Sequence, residues 1–436
     1  MNLFAKSSTS ISGEVVCPGD KSISQRALIL GSILNEDISI EGFLNGEDPI
    51  STANALNAIG SSITVYGTSV SIKKRYIPFK KPTTEVDLGN SGTGMRLMMG
   101  LISSLDIEAT LIGDESLTKR PMLRMANPLN DMGASISCSE GKPPVKIYPG
   151  KVIDNFTYEM PIASAQVKSG IILSALAANK SVTVIEKHPT RNHTERMISH
   201  FHGNIETAAY EAGNKIIYTP SKLIPSKSYR VVGDFSSAAF LVVAGLIAKE
   251  SNIVIKNVGL NPTRCGLIDV LKSMGGSIEI KNEKVISYEE VGDIHVRSSA
   301  LKGVSISGDV IPNIIDEIPI LSIAAAFAEG ETSISDAEEL RVKESDRLQA
   351  ISDGLIKINV SHQLYNDGIK ITGSSQDIVD SAEIDSHGDH RIAMSFLIAS
   401  LRSTNGVFVK DCKNIFTSFP HFIEVMKTLG IDVDER

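Results

Sequence analysis

Tryptophan is absent from this sequence of 436 residues, and only 5% of the residues are aromatic. Proteins that bind single-stranded nucleic acid commonly stack the bases on aromatic side chains, so this scarcity disfavours that class. The formal net charge is -8, which means that the surface as a whole would repel polyanions. We therefore expect no nucleic-acid partner, and any anion site must be a local cluster of cations.

Paired cysteines and long apolar runs are missing as well. Cys17, Cys138, Cys265 and Cys412 are far apart, which is typical of reduced thiols and not of a disulfide framework or a zinc site. The longest apolar run, 238–248, has 11 residues, too few to cross a bilayer. The amino-terminal segment lacks the apolar core of a signal peptide. We therefore expect a cytoplasmic protein with no membrane partner and no bound metal.

What the sequence does contain is a segment that occurs six times. Each copy has an apolar, helix-like part that ends near a pivot residue and passes into a short strand-like part; the pivots are Gly60, Gly133, Gly203, Gly275, Asn359 and Gly430. Gly and Asn are the residues that most readily take the left-handed conformation at a helix end. Between the copies, apolar helices such as 169–178 and 318–328 carry few charges on any face, which predicts burial. The repeat predicts a mixed α/β fold with two lobes of three units each.

Polar and charged residues stand at the beginning of several of these apolar helices. The starts are found near Lys21, Gly92, Ser164, Asp316 and Arg391. Free N–H groups and the dipole make a helix start favourable for anions, although each start also has a structural interpretation as a cap or a solvated end. The glycines between 89 and 94 lack the spacing of a dinucleotide or ATP loop, so neither NAD nor ATP is implied.

Residues 340–347 contain three cations and two anions within eight positions. Lys343 and Arg347 are four residues apart, so a helix through them would place both on one face, with Glu344 adjacent. Two cations and a carboxylate suit an enzyme that holds an anion and moves a proton. The alternative interpretation is a solvated helix face. A further cation, Arg120, precedes Pro121, which favours an extended backbone at Arg120.

Taken in order, these segments resemble the 5-enolpyruvylshikimate-3-phosphate (EPSP) synthase family. The matching segments extend from residue 18 to residue 420 and include PGDKSISQRA, LGNSGTGMRL, RVKESDRL and DHRIAMS. The segments ASAQVKS, SLTKRPM and TRNHTE resemble the second class of that family, which is typified by low sensitivity to glyphosate. The resemblance implies a two-lobed inside-out α/β barrel, made of six βαβαββ units with buried helices and outer sheets. It also implies one lobe of residues 1–20 and 235–436, a second of residues 21–234, and an active site in the cleft between them.

The reaction implied by the resemblance is a transfer between two small anions. The enolpyruvyl group of phosphoenolpyruvate would move to the 5-hydroxyl of shikimate 3-phosphate with release of phosphate, in the shikimate pathway of chorismate and aromatic amino-acid biosynthesis. No cofactor is needed, and we expect a monomer. One alternative is the related transferase that acts on UDP-N-acetylglucosamine, which typically has Lys-Asn in place of Lys21-Ser22. Another is a non-catalytic sugar-phosphate-binding homologue, against which the presence of Asp316, Lys343 and Glu344 argues.

The resemblance also assigns roles to individual residues. Those expected to bind shikimate 3-phosphate are Lys21, Ser22, Arg26, Ser164, Ala165, Gln166, Arg191, Asp316 and Lys343. Those expected to bind phosphoenolpyruvate are Lys21, Gly92, Arg120, Gln166, Arg347 and Arg391. Asp316 would accept the proton of the 5-hydroxyl with Lys343 beside it, and either Glu344 or Lys21 would protonate the methylene carbon.

Three positions bear on how closely this chain follows the family. Many members have Lys where this chain has Thr417, and many have Asn where it has Glu339. At Gly92, an alanine methyl group would narrow the phosphoenolpyruvate pocket and would affect the inhibitor glyphosate more than the substrate. Because Gly92 lacks that methyl group, we expect glyphosate to inhibit this enzyme despite its resemblance to the second class.

Overall fold

The computed structural model describes residues 1–377 and 382–436. The chain folds into two compact units, which are named here by their residues. The first unit comprises Met1–Pro18, Gly233–Val285 and Glu290–Arg436. The second unit comprises Gly19–Val232 together with the short segment Ile286–Glu289.

The helices of the described residues include several that are buried along their whole length. Their bounds are α1 (Lys21–Leu34), α2 (Glu47–Ala58), α3 (Gly92–Ile102), α4 (Leu123–Asp131), α5 (Ala165–Ala178), α6 (His193–His200), α7 (Phe235–Ile247), α8 (Gly266–Ser273), α9 (Ile311–Ile314), α10 (Ile318–Ala326), α11 (Arg347–Lys357), α12 (His390–Ala399) and α13 (Phe422–Thr428).

The strands are mostly short. Their bounds are β1 (Leu3–Ala5), β2 (Ser10–Val16), β3 (Ile38–Glu41), β4 (Ser62–Tyr66), β5 (Ser69–Lys73), β6 (Val86–Asp87), β7 (Ala109–Ile112), β8 (Ser135–Ser139), β9 (Lys142–Tyr148), β10 (Phe156–Met160), β11 (Val182–Glu186), β12 (Ile205–Tyr210), β13 (Gly213–Tyr218), β14 (Ser228–Arg230), β15 (Glu250–Gly259), β16 (Ser277–Ile286), β17 (Glu289–Arg297), β18 (Ser305–Ile306), β19 (Gly330–Ile334), β20 (Ser361–Leu364), β21 (Ile369–Gly373), β22 (Ala382–Asp385), β23 (Val407–Lys410) and β24 (Val433–Glu435).

Within residues 1–377 and 382–436, these strands form six sheets of four strands each. Those of the second unit have the orders β14-β3-β5-β4, β6-β7-β9-β8 and β10-β11-β13-β12. Those of the first unit have the orders β16-β17-β15-β2, β18-β19-β21-β20 and β22-β23-β1-β24. Each sheet contains a parallel pair, such as β6 with β7 or β18 with β19. The chain order within a repeat is strand, helix, strand, helix, strand, strand, as in β6-α3-β7-α4-β8-β9. The predicted mixed α/β class and its six repeats are confirmed.

The predicted pivots end helices just before β4, β8, β12, β16, β20 and β24. Five of them have a positive φ, between 60° and 104°, and these are Gly60, Gly133, Gly275, Asn359 and Gly430. The prediction for Gly203 is wrong by one residue, because His202 takes the left-handed conformation with φ 58°. Gly203 serves packing instead, since a Cβ atom there would lie 2.4 Å from Cγ2 of Ile198.

Each unit is built around its apolar helices. In the first unit α7, α10 and α12 consist entirely of buried residues and pack against one another. In the second unit α3 packs closely on α5. Gly100 permits this approach, since a Cβ atom there would lie 2.3 Å from the carbonyl oxygen of Gly170. The expected burial of the helices around residues 169–178 and 318–328 is therefore confirmed.

The main segment of the second unit, Gly19–Val232, is an insertion into the first unit, and its two ends meet. The backbone N–H of Asp20 donates to the carbonyl of Val232 at 2.8 Å. Within the first unit, the N–H of Asp234 donates to the carbonyl of Pro18 at 2.7 Å. The two ends of the inserted segment, and the two residues that flank it, are therefore each joined by a backbone hydrogen bond.

The four cysteines are thiols, and among the described residues none of them forms a disulfide. Burial raises the pKa of Cys265 to about 11 and that of Cys412 to about 12, so these two thiols are rarely ionised at neutral pH. Among the helices of residues 1–377 and 382–436, none combines the length and the apolar character needed to cross a membrane.

Candidate active site

Three helix starts of the second unit are joined by side-chain hydrogen bonds. Nε2 of Gln25 in α1 donates to Oγ of Ser91, the N-cap of α3, at 2.6 Å. Nε2 of Gln166 in α5 donates to Oγ1 of Thr93 in α3 at 2.8 Å. The predicted binding residues at these starts, Lys21, Gly92, Ser164 and Gln166, therefore belong to one assembly of helix N-termini. Such an assembly favours anions, because the unpaired N–H groups and the helix dipoles carry positive charge.

Lys21 is the first residue of α1 and is largely buried. Asp20 caps the helix, since its Oδ1 accepts the N–H of Ile23 at 2.8 Å. Nζ of Lys21 forms an ion pair with Oδ2 of Asp48 at 3.0 Å, with 15% of the lysine side chain exposed. The carboxylate of Asp48 therefore fixes the position of the ammonium group at the helix start.

Arg120 lies directly against the start of α3. Its backbone is extended, with φ -82° and ψ 141°, as the following proline predicts. A Cβ atom on Gly92 would lie 2.8 Å from Nη1 of Arg120 and 3.2 Å from Nη1 of Arg96. Arg96 also donates to Oε1 of Gln166 at 2.7 Å. Gly92 thus faces two guanidinium groups, one of which orients the predicted ligand-binding amide of Gln166.

Arg26 is 2% exposed and lies within a network of hydroxyl groups. Its Nε donates to Oγ1 of Thr194 and its Nη2 to Oγ of Ser169, both at 2.9 Å. Its Nη1 donates to the carbonyl of Ser22 at 3.0 Å. These contacts connect α1, α5 and α6, and they hold the buried charge of Arg26 next to Ser22, another predicted shikimate 3-phosphate residue.

Ser164 is the N-cap of α5, the structural role that a lone serine at a helix start favours. Its Oγ accepts the N–H of Val167 at 3.4 Å, and Ala165 is the first residue of the helix. The backbone N–H groups of Ala165 and Gln166 precede the first helical hydrogen bond, so helix geometry leaves them available for an anion.

The segment before α6 carries Arg191 and is anchored by a buried ion cluster. Nζ of Lys168, whose side chain is 0% exposed, lies 3.1 Å from Oε2 of Glu186 and 2.8 Å from Oε1 of Glu195. It also donates to the carbonyl of Thr190 at 3.1 Å. Because Thr190 precedes Arg191, the cluster fixes the backbone of Arg191 relative to α5. Arg191 itself is half-buried.

The candidate catalytic residues of the first unit converge on Asp316. Oδ1 of Asp316 lies 3.3 Å from Nη1 of Arg347 and 3.8 Å from Nζ of Lys343. Oε2 of Glu344 lies 2.6 Å from Nη2 of Arg347. The side chains of Asp316 and Glu344 are each 17% exposed, and that of Lys343 is 23% exposed. The structure therefore brings two carboxylates and two cations together at one place.

Arg347 is the electrostatic centre of this group and is 1% exposed. Its Nε donates to Oδ2 of Asp389 at 2.8 Å, so three carboxylates surround it. Burial would lower the pKa of the guanidinium, but the charges of Asp389, Glu344 and Asp316 outweigh burial and raise this pKa above its ordinary value. Among the described residues, these contacts engage four of the five N–H groups of Arg347. The fifth N–H group, on Nη1, can donate to a ligand.

The prediction that Lys343 and Arg347 share a helix face is wrong. Lys343 follows the 3₁₀ helix Glu338–Val342 and has an extended backbone, with φ -85° and ψ -150°. The α-helix begins only at Arg347, because Asp346 caps it by accepting the N–H of Gln349 at 3.1 Å. The two cations meet at Asp316 through the turn between the helices and not through helical spacing.

Arg391 lies in the first turn of α12, where Asp389 is the N-cap and accepts its backbone N–H at 2.9 Å. Its Nη1 donates to the backbone carbonyl of Asp316 at 2.7 Å and lies 3.2 Å from Oε1 of Glu317. The side chain remains 10% exposed. Arg391 is thus held against the same segment that carries Asp316.

The two positions that depart from the family pattern have different environments. Oε1 of Glu339 lies 3.9 Å from Nζ of Lys343, so its carboxylate adds negative charge beside that lysine. Thr417 is 1% exposed and donates from Oγ1 to the carbonyl of Asn414 at 2.7 Å. The contact of Thr417 is local, whereas Glu339 belongs to the site.

Sequence reasoning did not assign roles to Arg96, Asp48, Asp389 and Glu317. Arg96 could have been found from its position four residues after Gly92 in a helix. Asp48 gave no signal, since it reaches Lys21 from another helix 27 residues away. In the described part of the chain, no group of three or more His, Cys, Asp or Glu side chains is arranged to hold a metal ion.

Comparison with known proteins decides the family. Residues 5–426 match the sequence profile of EPSP synthase (3-phosphoshikimate 1-carboxyvinyltransferase). The chain belongs to the EPSP synthase family. This membership confirms the enzyme class predicted from the sequence, a transferase of carboxyvinyl groups.

Relatives of this family match the chain over its full length. The 3-phosphoshikimate 1-carboxyvinyltransferase of Hydrogenovibrio crunogenus is 45% identical over 433 residues, covering 97% of this chain and 96% of the relative. That of Legionella pneumophila (strain Lens) is 41% identical over 442 residues, covering 100% and 99%. The structure of EPSP synthase from Acinetobacter baumannii superposes with a TM-score of 0.86 at 40% identity, covering 100% of both chains.

A more distant structure shares the fold alone. The enolpyruvyl transferase NikO from Streptomyces tendae has a TM-score of 0.75 at 14% identity and covers 99% of this chain. At this level of identity the likeness extends to the arrangement of helices and sheets and not to the substrate.

The buried ion cluster of Lys168 gives a prediction for stability. In Lys168→Met, Glu186 and Glu195 lose their shared cation, so we expect the free energy of unfolding to fall by about 3–5 kcal/mol. Chemical denaturation measures the change. The control is Lys119→Met, whose exposed ion pair with Glu115 should change the value by less than about 0.5 kcal/mol. Equal effects of the two substitutions would contradict the assignment of a buried structural charge.

Proposed function

We propose that this enzyme transfers the enolpyruvyl group of phosphoenolpyruvate to the 5-hydroxyl of shikimate 3-phosphate through the residues named above. The observation that carries the assignment is the convergence of Lys343 and Arg347 on Asp316, with Glu344 paired to the same arginine. Two cations next to Asp316 stabilise its ionised form, which is the form that accepts a proton. Asp316 is therefore the proposed base for the 5-hydroxyl.

The proposed reaction proceeds by addition and elimination. The 5-oxygen bonds to C2 of phosphoenolpyruvate as Asp316 takes its proton and C3 gains a proton. Loss of a proton from C3 then restores the double bond while the C2–O bond to phosphate breaks. Each step moves charge between fixed groups, so positioned cations lower the barrier without reorganising in the reaction.

Both substrates are anions, and the proposal assigns them to the positive groups of the chain. Shikimate 3-phosphate contacts Lys21, Ser22, Arg26, Ser164, Ala165, Gln166, Arg191, Asp316 and Lys343 in this proposal. Phosphoenolpyruvate contacts Lys21, Gly92, Arg120, Gln166, Arg347 and Arg391. The helix starts of the second unit and the exposed parts of Arg391 and Lys343 support these assignments.

We also propose that the enzyme acts as a monomer in the cytoplasm. A solution mass near 46.8 kDa, measured by light scattering, tests the monomeric state.

Release of phosphate from phosphoenolpyruvate tests the function directly. We expect release with shikimate 3-phosphate and none with UDP-N-acetylglucosamine. Asp316→Asn should lower kcat by about 10²–10⁴-fold, because it removes the proposed base. Release with the nucleotide sugar alone would support the related transferase, and no release with either acceptor would support a non-catalytic homologue.

The group that protonates C3 is either Glu344 or Lys21. We expect Glu344→Gln to abolish most of the incorporation of solvent deuterium into the methylene group of phosphoenolpyruvate, a loss of about 10²-fold or more. Nuclear magnetic resonance of the recovered substrate measures the incorporation. Glu338→Gln, at an exposed neighbouring position, is the control. Incorporation at the normal rate in Glu344→Gln would transfer the role to Lys21.

Glyphosate tests the role of Gly92. We expect inhibition of the wild-type enzyme at millimolar concentration or below, on the order of the upper range of substrate KM values. In Gly92→Ala the new methyl group would displace the guanidinium groups of Arg120 and Arg96. The inhibition constant should rise at least about tenfold, or ~1.4 kcal/mol, with a smaller rise in KM for phosphoenolpyruvate. A wild-type enzyme that is insensitive at millimolar glyphosate would refute this expectation.

A further inference from the structure

Glu317 is a buried carboxylate in the first unit without an explained role. It directly precedes α10 and is 1% exposed. Although it occupies the N-cap position, its side chain makes no capping hydrogen bond with that helix. Capping therefore does not account for a negative charge at this place, and a buried carboxylate destabilises a protein unless partners satisfy it.

The contacts of Glu317 all involve one of its oxygens. Oε1 accepts the hydroxyl of Ser236 and lies 3.2 Å from Nη1 of Arg391. Oε2 is buried and has no hydrogen-bond partner among the described residues. A buried acceptor without a partner lowers stability, so its presence in a folded protein calls for an explanation.

Arg391 gives this buried carboxylate a role, because Oε1 of Glu317 is one of three acceptors that hold the guanidinium group of Arg391. Nη1 of Arg391 also donates to the backbone carbonyl of Asp316 at 2.7 Å, and Nη2 donates to Oγ of Ser236 at 3.2 Å. These acceptors belong to the starts of α10 and α7, whereas Arg391 belongs to α12. With both terminal nitrogens engaged, the orientation of the planar guanidinium group is fixed.

We propose that Glu317 is a positioning residue that orients Arg391 for phosphoenolpyruvate. The proposal rests on the assignment of Arg391 as a ligand of that substrate. Glu317 acts as a hydrogen-bond acceptor for Arg391 and Ser236 and does not contact the substrate. An amide at this position keeps the acceptor oxygen and loses the charge, whereas a methyl group loses both.

Steady-state kinetics of Glu317→Ala, Glu317→Gln and Arg391→Ala test the proposal. At saturating shikimate 3-phosphate, we expect Glu317→Ala to raise KM for phosphoenolpyruvate about tenfold. The Kd of shikimate 3-phosphate for the enzyme alone, measured by calorimetry, should stay at the wild-type value. Glu317→Gln should restore KM for phosphoenolpyruvate to near the wild-type value. A role in folding alone would not separate the two substrates in this way.

The outcomes distinguish the proposed role of Glu317 from the assignment of Arg391 as a phosphoenolpyruvate ligand, on which it rests. If Arg391→Ala leaves KM for phosphoenolpyruvate unchanged, the assignment of Arg391 fails and the role of Glu317 fails with it. If Arg391→Ala raises KM and Glu317→Ala does not, only the role of Glu317 is overturned. Equal losses for both substrates in Glu317→Ala would also overturn it.

A second variant covers the case in which Glu317→Ala does not fold. Ser236→Ala removes one hydroxyl that contacts Glu317, Arg391 and Arg264. Each of these charged groups keeps another partner, since Arg391 and Glu317 still contact each other and Arg264 still donates to Asp234. We expect KM for phosphoenolpyruvate to rise severalfold, with an unchanged Kd for shikimate 3-phosphate. Wild-type values of both constants in a folded Ser236→Ala would overturn the proposal.

Discussion

A charged side chain can be buried only if other groups satisfy its charge, and this requirement determines the interior of both units. Arg347 in the first unit and Lys168 in the second are almost completely buried, and each is surrounded by carboxylates that are themselves buried or nearly so. Neither cation is isolated on a surface. Each connects the start of one helix with segments that are distant in sequence, so the charge network also fixes the local architecture.

The same requirement explains how a chain with a net charge of -8 can offer sites for anions. The acidic residues near the helix starts serve as caps or as partners of internal cations, as Asp20, Asp389 and Glu344 show. Their negative charge is therefore largely compensated locally. The N–H groups at the helix starts, and the guanidinium N–H groups that are not bonded to carboxylates, keep their positive potential.

The sequence predicted repeated features well, because the same local physics acts six times. Gly60, Gly133 and Gly430 end helices as their conformational freedom suggests. The conformation of Gly203 could not be predicted correctly. Its lack of a side chain permits close packing against Ile198, whereas the left-handed backbone conformation is taken by the preceding residue, His202. Packing of this kind depends on the tertiary structure, which a local pattern does not contain.

The sequence predicted the charged residues of the candidate site that lie within recognisable motifs. It did not predict the partners that reach these residues from other helices or strands. Lys343 and Arg347 were both identified, but the helical spacing assumed for them was wrong because Asp346 caps the helix one residue before Arg347. Their meeting point is Asp316, which lies 31 residues from Arg347. Likewise, the ion pair of Lys21 with Asp48 leaves no trace in the local sequence.

The adjacency of Pro18 and Asp234 has a consequence for the engineering of this fold. The N–H of Asp234 donates to the carbonyl of Pro18, so a short linker between these two residues requires little ordering of the backbone. The first unit, rejoined by such a linker, would remain a continuous polypeptide with three complete sheets.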